Sequence, residues 1–238
     1  MRTYTFSKEI EFHIDSILRT IPFFACLSDE EYVRLKQIVK TKLFFKNQVI
    51  LLEEQTSNFM YIVYSGKVKA VKISKDGREK ILAIHEKGDF FGEMALLDGK
   101  TSPATVIAME KTIVGLISKD DFESCLLKNG NIQKEIISLL CTRLREAWLM
   151  LKILSFADAE NRIRAILGHL GSHFGQENQR GTIIRIRLTH QDIAHYASVS
   201  RETVTRALDR LSQTGEVEML GQGMILLKPI FLEKIPFL

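Results

Sequence analysis

The sequence predicts an α+β chain with a β-rich N-terminal half, a long helix and a C-terminal winged helix-turn-helix. Three observations carry that prediction. Short β-rich runs separated by turn signals fill residues 44–114. Apolar residues then recur at steps of three or four from Ile136 to Leu154. Two capped helices follow, joined by Ala197-Ser198-Val199, with a glycine hairpin signal behind them.

The 238 residues suit two modest domains or one large one, and 45% apolar content is enough to bury a core. The expected division is 1–130 for N-terminal helices and a β domain, 131–155 for the long helix and 156–238 for the helix-turn-helix domain. No apolar run approaches the roughly 20 residues that span a membrane. Charged residues from Arg2 to Asp15 interrupt any signal-peptide core, so a cytoplasmic location is expected. Cys26, Cys125 and Cys141 are far apart, without metal-ligand spacing, and read as reduced thiols. From Phe156 onward ten Lys+Arg face nine Asp+Glu, so nucleic-acid binding there needs charge gathered on one face.

The elements follow in order. Residues 6–19 read as a helix with Ile10, Ile14 and Leu18 apolar. Ser28-Asp29-Glu30-Glu31 is a capping box that starts a second helix after Pro22. Val49-Ile50-Leu51-Leu52, the run Met60 to Tyr64, Val68 to Ile73 and Ile81 to Ile84 read as strands. Lys46-Asn47, Ser65-Gly66, Asp76-Gly77 and Lys87-Gly88-Asp89 supply the turns, and the spacing suggests a sandwich, jelly roll or small barrel. Asn129-Gly130-Asn131 opens the long helix. Ile136, Leu140, Leu144, Ala147, Leu151 and Leu154 form a stripe of about three heptads, the pattern of a dimer seam. A core-facing helix of a monomer has similar spacing. The seam is preferred because a stripe this long, ahead of a domain boundary, has little else to pack on. Ser155 to Asp158 reads as a hinge, with Asp158 capping a helix to about Leu170. Gly171 to Gly181 reads as a polar loop and Thr182 to Leu188 as a strand.

Thr189-His190-Gln191-Asp192 is a second capping box, and Ser200 caps a helix that Thr214-Gly215 stops. At about 100° per residue, Val204, Ala207, Leu208 and Leu211 share one arc, and Arg201, Glu202, Thr205, Arg206 and Asp209 the opposite one. Arginine can donate twice to guanine and glutamate can accept from cytosine, so Arg201, Glu202, Thr205 and Arg206 are the candidate base readers. A solvated charged face gives the same pattern. Thr189, Ser198, Ser200 and Arg210 are the candidate phosphate contacts. Val217 to Leu220 and Met224 to Leu227 flank Gly221-Gln222-Gly223 as a wing, and the apolar stretch Pro229 to Leu238 is expected to pack on its own domain, with an exposed partner patch as the alternative.

These motifs resemble the CRP/FNR superfamily of bacterial regulators from about Ile21 to Lys228. Ile21-Pro22-Phe23-Phe24 with Leu27-Ser28 is similar to the family's entry into its β domain. Phe91-Gly92-Glu93-Met94-Ala95-Leu96-Leu97 is similar to its phosphate-binding cassette. Ser200-Arg201-Glu202-Thr203-Val204-Thr205-Arg206 matches its recognition helix and is the most specific of the three. The resemblance implies an N-terminal double-stranded β-roll, a long dimerisation helix and a C-terminal winged helix-turn-helix. It implies a homodimer on double-stranded DNA, an activator with a palindromic TGTGA-like site, and contact with RNA polymerase through residues 173–179.

It also implies an effector pocket at Gly92, Glu93, Met94, Ala95, Lys100, Ser102 and Thr105. There the chain departs from its relatives. Cyclic-AMP-binding members carry an arginine followed by Ser or Thr before the Ala-Thr-Val-like strand. Here Ser102 and Pro103 stand at those places, and Pro103 has no N–H to donate. Ala147 and Trp148 stand where such relatives place Thr and Ser against the adenine. Cyclic AMP in the usual pose is therefore disfavoured, Lys100 is the replacement cation to examine, and no cofactor is predicted. The iron–sulfur branch needs clustered N-terminal cysteines, and Cys26 stands alone. A haem would need His13 or His85. The alternative function is a cyclic-nucleotide- or other small-ligand-binding regulatory module that acts mainly through protein partners. An enzyme on a cupin-like roll needs a His/His/carboxylate cluster, and only His85 lies among the strands.

Overall fold

The computed structural model describes residues 17–19, 21–156 and 158–235. The predicted helix over 6–19 is described only at Ile17 to Arg19, with Ile17 and Leu18 buried; Ile10 and Ile14 lie outside the described residues. The chain divides into two compact units, 1–142 and 143–238.

The first unit opens with α1 (Pro22–Ala25) and α2 (Asp29–Ile38). The α2 capping box forms as predicted, Ser28 accepting from Glu31 N and Glu31 from Ser28 N. Strands β1 (Lys40–Phe44), β2 (Val49–Leu51), β3 (Phe59–Ser65), β4 (Val68–Ile73), β5 (Glu79–His85) and β6 (Phe90–Phe91) lead to α3 (Glu93–Asp98). Strands β7 (Thr105–Ala108) and β8 (Thr112–Ser118) close the roll. Two antiparallel sheets result, β1-β8-β3-β6 and β2-β7-β4-β5.

Strand β3 explains why an unbroken apolar run was needed. Tyr61 and Val63 face Val68, Val106 and Val114 between the sheets. Met60, Ile62 and Tyr64 face the other way, under Phe24, Leu35, Phe122 and Ile132. Both faces are covered, so alternation disappears. Each such side chain gains about 1.5–3 kcal/mol from burial. Gly115 in β8 makes room for the Tyr64 ring: a Cβ there would lie 2.3 Å from the phenol oxygen.

The long helix α4 spans Gly130–Phe156. Asn129 Oδ1 accepts from Asn131 N and Ile132 N, at 2.9 and 3.3 Å, and caps it as predicted.

The second unit contains α5 (Ala159–Phe174), β9 (Gly175–Asn178), β10 (Gly181–Ile184), α6 (His190–Ala197) and α7 (Arg201–Gln213). It ends with β11 (Val217–Met219), β12 (Ile225–Leu227) and α8 (Pro229–Leu232). Asp158 caps α5 through Asn161 N at 2.8 Å. The sheet order is β11-β12-β10-β9, and the wing hairpin turns through Gly221–Gly223 in register Val217↔Leu227.

Two expectations are corrected here. The segment Gly171 to Gly181 is not a loop, because α5 runs on to Phe174 and β9 pairs with β10. Gly171 serves close packing instead: a Cβ there would lie 2.7 Å from Leu227 Cδ1. The strand predicted to Leu188 ends at Ile184, although Ile186 and Leu188 keep the alternate burial. In α8, Phe231 is fully buried, whereas Ile230 and Leu232 are 45% and 41% exposed; residues 236–238 lie outside the described residues.

Candidate nucleic-acid interface

The two helices that form the candidate interface are seated by their apolar arcs. Val204, Ala207, Leu208 and Leu211 of α7 are buried, as are Ile193, Ala194 and Tyr196 of α6. The turn between them holds Ser198 at φ 54°, a left-handed conformation that residues other than Gly, Asn and Asp seldom adopt. Ser200 caps α7, its Oγ accepting from Thr203 N at 3.1 Å. Thr189 caps α6, accepting from Asp192 N at 3.1 Å and donating to Asp192 Oδ2 at 2.6 Å.

The opposite arc of α7 is presented to solvent. Arg201, Glu202 and Arg206 are exposed and Thr205 is half-buried. The Glu202 carboxyl is held below the usual range, first by its own backbone N–H at the helix start, then by Ser200, Arg201 and Arg206. It is therefore an acceptor only, as pairing to a cytosine amine requires.

One candidate phosphate contact is already ion-paired within the protein. Arg210 lies in the last turn of α7, and its guanidinium donates to Glu160 at 2.6 Å. Its direction on the helix turns it toward α5 and away from the base-reading arc. Sequence reasoning also passed over His190, whose Nδ1 lies 2.8 Å from Thr205 Oγ1. A histidine at the first position of a short helix has no periodic signature, and its partner is on another helix.

Behind the interface two buried polar groups bind the unit together. Glu216, 3% exposed, receives Arg164 in a bidentate pair and also Thr214 at 3.0 Å and Lys234 at 3.3 Å. The Arg164 hydrogen bonds, assisted by Thr214 and Lys234, lower its pKa to about 2. His169, 7% exposed, packs on His173 and Tyr196, and burial followed by the His173 charge lowers its pKa to about 4.

The long helix corrects the predicted stripe. Ile136 is buried in the roll's own core, with Leu140 packed against it. The exposed apolar residues are Ile137, Leu144, Trp148 and Leu151, with Cys141 also exposed. Their spacing alternates four and three, so all fall within about 40° of one line along the helix. The predicted stripe was displaced by about one residue because apolar side chains cover two adjacent arcs of this helix. Leu144 and Leu151 remain on the exposed line; Ala147, exposed, and Leu154, half-buried, flank it.

In the roll, Gly92 sits at φ 84° before α3, where a Cβ would lie 3.0 Å from Phe59 O. Glu93 and Ala95 are buried, and Met94 is 44% exposed. Ser102 is buried but donates its hydroxyl to Ala104 O at 2.8 Å. Thr105 Oγ1 accepts from Glu53 N at 3.1 Å. Lys100 is 80% exposed, with its ammonium 4.0 Å from Asp98. Phe91 stacks on Tyr61 at 5.0 Å and on His85 at 5.9 Å. A cyclic phosphate needs an inward cation and free donors. At the predicted phosphate position the serine hydroxyl is engaged, the proline lacks an N–H and the lysine faces outward. These residues do not fit a cyclic nucleotide in the family's usual pose. A cavity of about 360 Å³ lies along Val49 to Leu52 and Gln55 to Phe59, and none of the predicted pocket residues lines it. Among the described residues no His/Cys/Asp/Glu group is arranged for a metal, and no helix is long and apolar enough to cross a membrane.

Comparison with known proteins agrees with this geometry. Residues 41–129 match the cyclic nucleotide-binding domain model and residues 161–235 the Crp-like helix-turn-helix domain model. The cyclic AMP receptor protein of Thermus thermophilus is 32% identical over 217 residues, 91% of this chain and 97% of that protein. The anaerobic regulatory protein of Bacillus subtilis is 27% identical, covering 84% of this chain and 85% of that protein. FixK2 from Bradyrhizobium japonicum has the same fold, with a TM-score of 0.74 at 24% identity over 83% of this chain and 97% of that one. A β-roll, a long helix and a winged helix-turn-helix with these relatives define a DNA-binding transcription regulator. The chain belongs to the CRP/FNR family.

Proposed function

We propose that this regulator is a cytoplasmic homodimer that reads a palindromic, TGTGA-like site and activates transcription, without cyclic AMP in the usual pose. The observation that carries the reading is the arc of α7. Two arginines and an ionised glutamate are exposed at the start of a helix whose other face is sealed into its domain. Arg201, Glu202, Thr205 and Arg206 read base edges, and Thr189, Ser198 and Ser200 with nearby amides approach phosphates. The line Ile137, Leu144, Trp148 and Leu151 is the dimer seam, and an apolar line of that length needs cover. Contact with RNA polymerase is assigned to the β9–β10 hairpin, since β9 is exposed throughout.

Binding-site selection on random DNA, with no added ligand, tests the reading. Two inverted half-sites about one helical turn apart are expected. Arg201→Ala is expected to weaken binding to the selected site by roughly 1–3 kcal/mol and relax one position of each half. An unselected pool, or an unchanged profile for the variant, overturns the assignment.

A further inference from the structure

Thr205 lies on the exposed arc of α7, yet its hydroxyl is already engaged. Oγ1 is 3.1 Å from Arg201 O and 2.8 Å from His190 Nδ1. A carbonyl oxygen can only accept, so the single hydroxyl hydrogen goes to Arg201 O. The imidazole is then the donor, which fixes a proton on Nδ1 of His190. Both residues are half-buried, and the seating of α6 against α7 sets the distance between them.

Threonine in a helix divides between two rotamers, because its hydroxyl can bond back to a carbonyl one turn earlier. A threonine free to choose offers a hydroxyl to either donors or acceptors, which discriminates poorly among bases. Held by His190 on one side and Arg201 O on the other, the hydroxyl is turned inward. The substituent left on Cβ for the groove is the methyl.

We propose that His190 is a positioning residue for base selection: it holds the Thr205 hydroxyl inward, so that the Thr205 methyl selects thymine by its C5-methyl group. The proposal rests on α7 being the recognition helix. It makes a prediction that a merely structural His190 does not make. Base choice at one position depends on a residue of the other helix that touches no base.

The test uses the full chain and its selected site, in which each thymine is replaced in turn by uracil, which lacks only the methyl. One position per half-site is expected to lose about fourfold in affinity, the effect of one buried methyl-sized group. Thr205→Val keeps a methyl and should keep that uracil effect, whereas Thr205→Ser should abolish it. His190→Ala should abolish it too and admit other bases at that position, leaving the Arg201-dependent position unchanged. His190→Asn, which returns an N–H near the Nδ1 place, should restore it. Melting temperatures identify any variant that fails to fold, and the Asn variant then decides. Loss of Arg201-dependent selection refutes the parent reading. Intact Arg201-dependent selection with no uracil-sensitive position, or with His190→Ala leaving the uracil effect intact, overturns this proposal alone.

Discussion

In the helix-turn-helix the polar groups with recognition chemistry stand outside. Arg201, Glu202 and Arg206 are exposed, on a helix whose other face is buried. In the roll two of the corresponding groups bond to the protein's own backbone and the third faces solvent. Ser102 donates to Ala104 O, Thr105 accepts from Glu53 N, and Lys100 turns outward to Asp98. The two regions share one family architecture, but the helix-turn-helix keeps its donors and acceptors exposed, whereas Ser102 and Thr105 of the roll are engaged by neighbouring backbone. A binding site is thus a question of unspent hydrogen-bonding capacity more than of fold.

Predictions that break or sharpen this contrast run from large to small. Glu216→Ala removes the bidentate partner of Arg164, leaving it only the 3.9 Å approach to Glu160, and is expected to destabilise the helix-turn-helix unit by about 3 kcal/mol in urea unfolding. Losses under 1 kcal/mol would show that the pair is solvated.

Acid should act next. His169 is neutral in the folded unit, with a pKa of about 4 against 6.5 for the free side chain. A depressed folded pKa means the unfolded chain binds the extra proton. Stability is therefore full above pH 6.5 and falls as pH drops toward 4, by roughly 3 kcal/mol. The Glu216 contribution is lost in a lower window, from about 4.5 downward through its folded pKa of about 2. His169→Leu should flatten the upper window alone; a slope unchanged in that variant would assign it elsewhere.

A smaller gain is expected in the turn. Ser198→Gly relieves a left-handed residue and should stabilise by about 1 kcal/mol, measured as a rise in unfolding midpoint. Destabilisation would mean that the serine side chain holds the turn.

The smallest effect belongs to the roll. Cyclic AMP at micromolar concentration should change neither melting temperature nor affinity for the selected site. A saturable shift in either would show that the roll still offers a phosphate site.

Much of this was legible in the chain. Capping boxes at Ser28 and Thr189, the Ser200 cap and the arcs of α7 depend on neighbours three or four residues apart, and all form as expected. The departure at Ser102 and Pro103 was legible only through the resemblance to the family, whose cyclic-AMP-binding members carry an arginine and a hydroxyl there. The exposed apolar line differs from the predicted stripe because periodicity reports an apolar arc without saying which side has a neighbour. Ile136 and Ile137 are both apolar, and only the roll's core distinguishes them: one is 5% exposed and the other 62%.

The sequence by itself determined the division into a β-rich half, a long helix and a helix-turn-helix, the caps and the amphipathic face of α7, because short-range spacing encodes them. Only the tertiary structure decided that Gly171 packs under Leu227 within a helix, that Arg210 is held by Glu160, and that His190 reaches Thr205. Those pairings join residues far apart in the chain, and close packing between elements chooses them.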